Sequence, residues 1–193
     1  MLLAALASPS RAADPATPAA AATAAPVTVA HLEGKPTLDG KLDEAFWQQA
    51  TQVDLPYETS PGENTPAAVK TTMYIGENGT HLLVAFVAEE PEPKKIRAYL
   101  RDNEDESWDG LWDVGANIND TGYIVEFEIP FSTLRFQKKD GPQQWGIDAL
   151  RFRPRDNRYR LSNNIRDRNN RCYLCGFRKF SGFAGAEAGN NFE

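Results

Sequence analysis

The sequence predicts an antiparallel all-β fold, a two-sheet sandwich with one short N-terminal helix and an irregular C-terminal connector. Short runs of alternating apolar and polar residues recur through the chain, turn signals rich in Asn, Asp and Gly separate them, and no βαβ spacing is present. With 193 residues and 41% apolar content, the chain can bury one ordinary core, so we expect one main domain with tails.

The folded part begins with a predicted strand over residues 27–34 and continues into a predicted helix. Asp43 is placed to accept hydrogen bonds from the free N–H groups of the first helical turn. Apolar residues then recur at helical spacing, namely Leu42, Ala45, Phe46 and Ala50. A helix this short is marginal by itself, so we expect Phe46 and Trp47 to plug one end of a larger core.

A hairpin is predicted from residues 68–76 and 81–89, which flank the turn signal Asn78-Gly79. The first strand alternates, which indicates one wet face, whereas the second is continuously apolar and is expected to be buried on both faces.

Three further strands are predicted over residues 111–118, 123–130 and 145–155. In the first of these, Trp112, Val114, Ala116 and Ile118 alternate with polar residues or Gly. Glu126 and Glu128 occupy one face of the second, with Cα atoms about 6.5 to 7 Å apart from the strand rise. That separation is close to the one found in glycosidases, but the parity is also that of an ordinary solvated face, which we favour.

Residues 1–26 are predicted to be a signal-peptide remnant and an Ala/Pro linker. An apolar start leads to the small-x-small sequence Ser10-Arg11-Ala12, which is typical of a signal-peptidase site. Since the apolar run is short and no Lys or Arg precedes it, the signal peptide is expected to extend upstream. No stretch of about 18 apolar residues predicts a transmembrane helix. We expect export, to the periplasm or the outer-membrane surface.

Residues 156–193 are predicted to be a connector, because Arg, Asn, Asp and Gly dominate them. Residues 151–171 alone contain eight Arg against two Asp, a net charge of +6. Because the whole chain has a net charge of −6, the remaining residues carry about −12. Packing against an acidic surface, or contact with anionic lipid or polysaccharide, fits this stretch better than nucleic acid does. In an exported chain, Cys172 and Cys175 predict a local disulfide.

Four segments together resemble a known family: residues 36–50, 68–90, 108–136 and 145–155. They are similar to the family 9 carbohydrate-binding module-like domain, a β-sandwich of the DOMON type with jelly-roll architecture. The tail over residues 167–193 resembles the connector that leads, in one bacterial group, into an outer-membrane β-barrel domain of unknown function. The resemblance implies a sandwich domain over residues 27–155 that lacks some tens of residues near 102–107, so the chain looks like an internally shortened fragment.

The resemblance implies binding to a glycan through an exposed aromatic face. Trp108 lies in a polar loop and is the best candidate, with Tyr99 and Arg101 near it. The same segment is rich in carboxylates, which could hold a calcium ion, although a solvated loop is the simpler interpretation. The calcium candidates are Asp102, Asp105 and Asp109.

The sequence therefore predicts a non-catalytic carbohydrate-binding-like module of an exported, outer-membrane-associated bacterial protein. One alternative is a structural domain that docks on or gates a β-barrel without binding sugar. Another is an accessory module of a glycoside hydrolase involved in carbohydrate catabolism. The expected partners are a glycan, bound weakly, or a β-barrel domain.

Overall fold

The computed structural model describes residues 25–96, 110–137, 143–183 and 185–187. Their regular structure is almost entirely β, with four short 3-10 helices, at Ala45–Gln49, Pro93–Lys95, Phe131–Thr133 and Leu174–Gly176. The strands are β1 (Val27–Thr28), β2 (Ala30–His31), β3 (Thr51–Asp54), β4 (Tyr57–Ser60), β5 (Thr65–Pro66), β6 (Thr71–Glu77), β7 (His81–Glu89), β8 (Asp113–Asn119), β9 (Gly122–Pro130), β10 (Gln144–Ile147), β11 (Leu150–Pro154), β12 (Arg158–Ser162) and β13 (Arg178–Ser181).

These strands form three sheets, and the predicted all-β sandwich is confirmed. The largest, which we name the main sheet, has the order β2-β6-β7-β9-β8, with β3 also paired to β6. A four-stranded sheet has the order β11-β12-β4-β5, and a three-stranded sheet the order β1-β13-β10. All pairs are antiparallel except β1 with β13 and β2 with β6.

The core lies between the main sheet and the two smaller sheets. Met73, Ile75 and Val84 of the main sheet share one buried cluster with Leu161 of β12 and Phe180 of β13. Burial of these apolar side chains on both sides of the interface is what holds the layers together.

The hairpin between β6 and β7 has the predicted turn. Gly79 has a φ of 85°, a conformation that favours glycine, and Asn78 Oδ1 accepts a hydrogen bond from the His81 N–H at 2.9 Å. The predicted wet face of β6 is wrong, however, because Thr72 is buried and Tyr74 is half-buried. Residues of the N-terminal segment cover that outer face.

This covering segment contains the predicted helix, which is a five-residue 3-10 helix, Ala45–Gln49, rather than an α-helix. Its Trp47 is 1% exposed and packs on the outer face of the main sheet with Leu83 and Ala85. Asp43 does not cap it, since no side chain caps this helix. Trp47 thus covers a sheet face instead of plugging an end of the core.

The predicted boundary at residue 155 is also wrong, because the C-terminal segment completes the sandwich. β12 pairs with β11 and β4, and β13 pairs with β1 and β10. Leu161, Phe180 and Phe183 are at most 1% exposed. The polar composition conceals these few apolar residues, which supply the large buried side chains of this segment.

The predicted first strand is divided between two sheets. β1 belongs to the three-stranded sheet and β2 to the main sheet, with Val29 buried between them. Among the described residues, no helix is long and apolar enough to cross a membrane.

Candidate functional site

The residues that the sequence singled out for ligand binding lie outside the described part of the chain. These are Trp108, Tyr99 and Arg101 for a glycan and Asp102, Asp105 and Asp109 for calcium. Within the described ranges, no group of three or more His, Cys, Asp or Glu is arranged to hold a metal ion. Ile96, the last described residue before that segment, lines a groove.

This groove lies at one end of the sandwich, between β8 and β9 of the main sheet and β11 of the four-stranded sheet. Its volume is about 550 Å³, which is within the usual range for a small-molecule site. We name it the arginine groove, and its lining residues are Glu90, Ile96, Val114, Ala116, Asn117, Ile118, Tyr123, Val125, Arg151, Phe152, Arg153, Pro154 and Arg155.

One wall of the arginine groove is apolar. Val114, Ala116 and Ile118 alternate along β8, as the sequence predicted, and pair with Phe127, Val125 and Tyr123 of β9. Val114 is nevertheless 47% exposed and Ile118 54% exposed. The core-facing side of this strand therefore presents an apolar surface to the groove instead of being covered by the second layer.

The opposite wall contains three arginines that surround one carboxylate. Glu90, which directly follows β7, is 2% exposed and accepts hydrogen bonds from Arg153 Nε at 2.8 Å and Arg153 Nη2 at 3.0 Å. Arg151 Nη2 donates to it at 3.3 Å, and Arg155 Nη2 lies 2.8 Å from it. The hydrogen bond from Arg153 is the main cause that lowers the pKa of Glu90 to about 2, against the opposing effect of burial.

Strand geometry explains this convergence. Arg151, Arg153 and Arg155 alternate along β11 and the residue after it, so their side chains share one side of the strand. The signal was present in the sequence as R-x-R-x-R, but sequence reasoning missed the site because Glu90 lies far away in the chain.

The innermost arginine of the three is a structural residue. Arg151 is 5% exposed and donates from Nη1 to Thr71 Oγ1 at 2.8 Å and to the Glu89 carbonyl at 3.0 Å. Its guanidinium also lies 5.2 Å from the ring centroid of Tyr123. Burial lowers the pKa of Arg151 and raises that of Tyr123. Arg151 therefore ties β7 to β11, and Arg153 and Arg155 are the less buried arginines of the three.

The rim of the groove includes one exposed aromatic side chain. Phe152 is 42% exposed, and the Arg158 guanidinium lies 4.4 Å from its ring centroid. A ring held in this way presents apolar area at the mouth of the groove at little cost in conformational entropy.

A second groove of about 660 Å³ opens between Phe86, Phe136 and Trp145. Its only charged lining residues in the described part of the chain are Arg135 and Asp148. Asp148 is already engaged, since it accepts hydrogen bonds from Ser162 Oγ at 2.7 Å and the Tyr173 hydroxyl at 2.6 Å. The arginine groove is the better candidate because apolar walls and several polar groups meet there.

Glu126 and Glu128 are not a solvated face, so that expectation is wrong. Glu126 is 0% exposed and accepts hydrogen bonds from the Gly40 N–H at 2.7 Å and Trp47 Nε1 at 3.1 Å. Glu128 is 2% exposed and lies 3.2 Å from Lys35 Nζ. Burial raises the pKa of Glu126. The N-terminal segment covers both carboxylates, which hold that segment on the sheet.

The remaining arginines of residues 151–171 mostly contact this chain itself. Arg160 Nη2 lies 3.4 Å from Asp148 Oδ2 and donates to the Tyr173 hydroxyl, and Arg168 Nη2 donates to the Thr59 carbonyl at 3.3 Å. A disulfide joins Cys172 to Cys175, the pair that the sequence predicted, and it encloses Tyr173. Sequence reasoning assigned this stretch to an outside partner because it could not see these internal acceptors.

Comparisons with known proteins show the fold. No protein-family model matches the chain, and no curated protein is similar to it at a significant level. Among solved structures, it is similar to a family 9 carbohydrate-binding module from Caldicellulosiruptor kristjanssonii in complex with cellotriose. The TM-score is 0.52 at 12% identity, over 81% of this chain and 92% of that one. The chain therefore has a β-sandwich fold like that of a family 9 carbohydrate-binding module.

Proposed function

We propose that this chain is a non-catalytic carbohydrate-binding module and that the arginine groove is its ligand site. The observation that carries the proposal is the groove itself, which combines an apolar wall with guanidinium donors at one end. The likeness in fold to a module solved with cellotriose supports the same class of ligand.

The chemistry of a sugar fits the two walls. A pyranose ring has an apolar C–H face, which suits Val114 and Ile118 and, at the rim, Phe152, and a set of hydroxyl groups, which suits Arg153. Because the groove is open and the apolar residues are aliphatic except at the rim, the affinity should be modest. We expect a Kd near the millimolar range, about −4 kcal/mol.

A glycan panel titrated by NMR or calorimetry tests the proposal. Phe152→Ala removes the exposed ring, and we expect it to weaken binding about fivefold to tenfold, since about 1 kcal/mol of stacking is lost. Leu174→Ala is the matched control, because Leu174 is 67% exposed and does not line the groove. A folded wild-type chain that binds no glycan would contradict the proposal.

The aromatic platform predicted from the sequence remains part of this proposal. Trp108, Tyr99 and Arg101 follow Ile96 in the sequence, and Ile96 lines the groove. The same titration with Trp108→Ala, with and without calcium, tests the platform together with the calcium candidates Asp102, Asp105 and Asp109.

We further propose that the chain is exported to the periplasm or the outer-membrane surface. The disulfide between Cys172 and Cys175 supports an oxidising compartment. The resemblance of the C-terminal tail supports an outer-membrane β-barrel as the neighbouring domain, with a glycoside hydrolase as the alternative. Cell fractionation, with non-reducing mass spectrometry of the two thiols, tests the compartment.

A further inference from the structure

We propose that the arginine groove selects an acidic glycan, one whose sugar rings carry carboxylate or sulfate groups. This inference rests on the proposed function and names its ligand class. It is carried by the balance of charge in the groove and by the way its arginines are held.

The groove has an excess of positive charge. Among the described residues that line it, Arg151, Arg153 and Arg155 are cationic and Glu90 is the one anionic residue, which leaves an excess of two positive charges. The net charge of the whole chain is −6, so the groove has the opposite sign to the chain. A neutral sugar would leave this excess uncompensated, whereas an anionic ligand removes it.

A neighbouring depression extends the positive surface beyond Pro154. It shares Arg153 and Arg155 with the groove and adds Lys94 and Lys95, against Glu92 and Asp156. Lys95 Nζ lies 2.5 Å from Glu92 Oε1, and the Tyr159 hydroxyl donates to Asp156 Oδ1 at 3.0 Å. Lys95 and Glu92 neutralise each other, so Lys94, Arg153 and Arg155 against Asp156 give this depression its excess of positive charge. A chain of acidic sugars can therefore follow the arginines from one depression into the next.

Arg155 is the residue whose side chain is held in place for binding such a ligand. Its Nη1 donates to the Pro154 carbonyl at 2.6 Å and its Nη2 lies 2.8 Å from Glu90, so the guanidinium is fixed in orientation. Its Nε is buried and has no hydrogen-bond partner among the described residues. The side chain as a whole is 14% exposed, so a ligand carboxylate or sulfate oxygen that reaches it adds a charge-assisted hydrogen bond.

The two walls then orient the ligand. The apolar wall of Val114 and Ile118 faces the sugar ring, and the charged substituent is directed toward Arg153 and Arg155. Glu90 keeps both guanidiniums in place through its own contacts, so little ordering is needed on binding.

The test compares trigalacturonate with its fully methyl-esterified form, which has the same rings without the charge. Both are titrated against the full-length chain by calorimetry at low and high salt. We expect the acid to bind at least about tenfold more tightly than the ester, because hydrogen bonds to charged groups are the stronger kind. The preference should shrink as salt is raised.

Arg155→Gln should reduce the preference for the acid, while Arg166→Gln, which alters an arginine outside the groove, should leave it unchanged. Equal binding of acid and ester would overturn this inference and leave the proposed function standing. Failure of a folded chain to bind either these ligands or any neutral glycan would overturn both. Binding to anionic vesicles but to no glycan would also overturn both.

Discussion

The two ends of the main sheet are built from different chemistry. At the Pro130 end of β9, which we name the aromatic end, Phe131, Trp145 and Phe183 pack together, with the Trp145 and Phe183 rings stacked at 4.2 Å. Phe131 and Phe183 are at most 1% exposed. At the Gly122 end, the arginine groove replaces such packing with a buried carboxylate and three guanidiniums.

The aromatic end contributes stability, whereas the groove end offers charged groups that a ligand can contact. Apolar burial at the aromatic end does not depend on protonation, whereas the ion cluster at the groove end depends on the charge of Glu90. A ligand can compete for guanidiniums but not for a closed aromatic contact. The candidate site therefore lies where the second layer does not cover the sheet.

The largest expected effect is at the aromatic end. Phe183→Ala should lower the free energy of unfolding by about 3 to 5 kcal/mol, because it leaves a cavity beside Phe131 and Trp145. Chemical denaturation of the variant measures the loss. Leu174→Ala, at an exposed position in the same C-terminal segment, should change stability by less than about 0.5 kcal/mol. A small loss for Phe183→Ala would show that the C-terminal segment is a separate connector after all.

The next effect is at the groove end and depends on pH. The pKa of Glu90 is about 2 in the folded chain, below its ordinary value of 4.5, so its contribution is present above pH 4.5 and is lost as the pH falls toward 2. Its size is about 3 kcal/mol from the shift in pKa. Urea unfolding from pH 6 to pH 2 should show this loss in wild type.

Glu90→Gln should remove that acid-dependent loss and reduce stability at pH 7. Glu126 provides an internal check, because its pKa is raised and its effect on stability therefore changes with pH in the opposite direction. Protonation of Glu126 favours the folded state as the pH falls toward 4.5, so its contribution lies above the window of Glu90. If the Glu90→Gln variant lost as much unfolding free energy between pH 6 and pH 2 as wild type does, the stabilising role of the ion cluster around Glu90 would be contradicted.

The smallest effect concerns the disulfide, whose loop lies outside the arginine groove. Removing it by Cys172→Ser and Cys175→Ser should cost about 2 kcal/mol, since the closed loop has only four residues. Glycan binding should be unchanged, because neither cysteine lines the groove. Thermal melts with and without reductant measure the cost, and the double variant should not respond to reductant. Loss of binding in a folded variant would link the loop to the site.

The sequence predicted local structure well where one segment contains the whole signal. The β6–β7 hairpin formed as expected because Asn78 and Gly79 make their turn contacts within four residues. The alternation along β8 likewise predicted that Val114 and Ile118 lie on the same side of the strand, as they do in the structure.

Prediction failed where a distant segment decides burial. Parity placed Glu126 and Glu128 on one face, but only the fold shows that Lys35, Gly40 and Trp47 cover that face. The alternating arginines of β11 were visible, whereas their shared partner Glu90 was not. The composition of the C-terminal segment likewise indicated an unpacked connector, because most of its residues are polar and only a few are buried.

The parallel pairing of β1 with β13 determines how further domains could be attached to this sandwich. Val27 lies opposite Phe180 in a parallel pair, so the chain runs through both strands in the same direction. Tyr123 and Val125, the residues of β9 that line the groove, lie seven and five residues from Pro130, about 17 to 24 Å at the usual strand rise. A domain that precedes β1 and a domain that follows β13 would therefore leave this strand pair at opposite ends, with the sandwich between them.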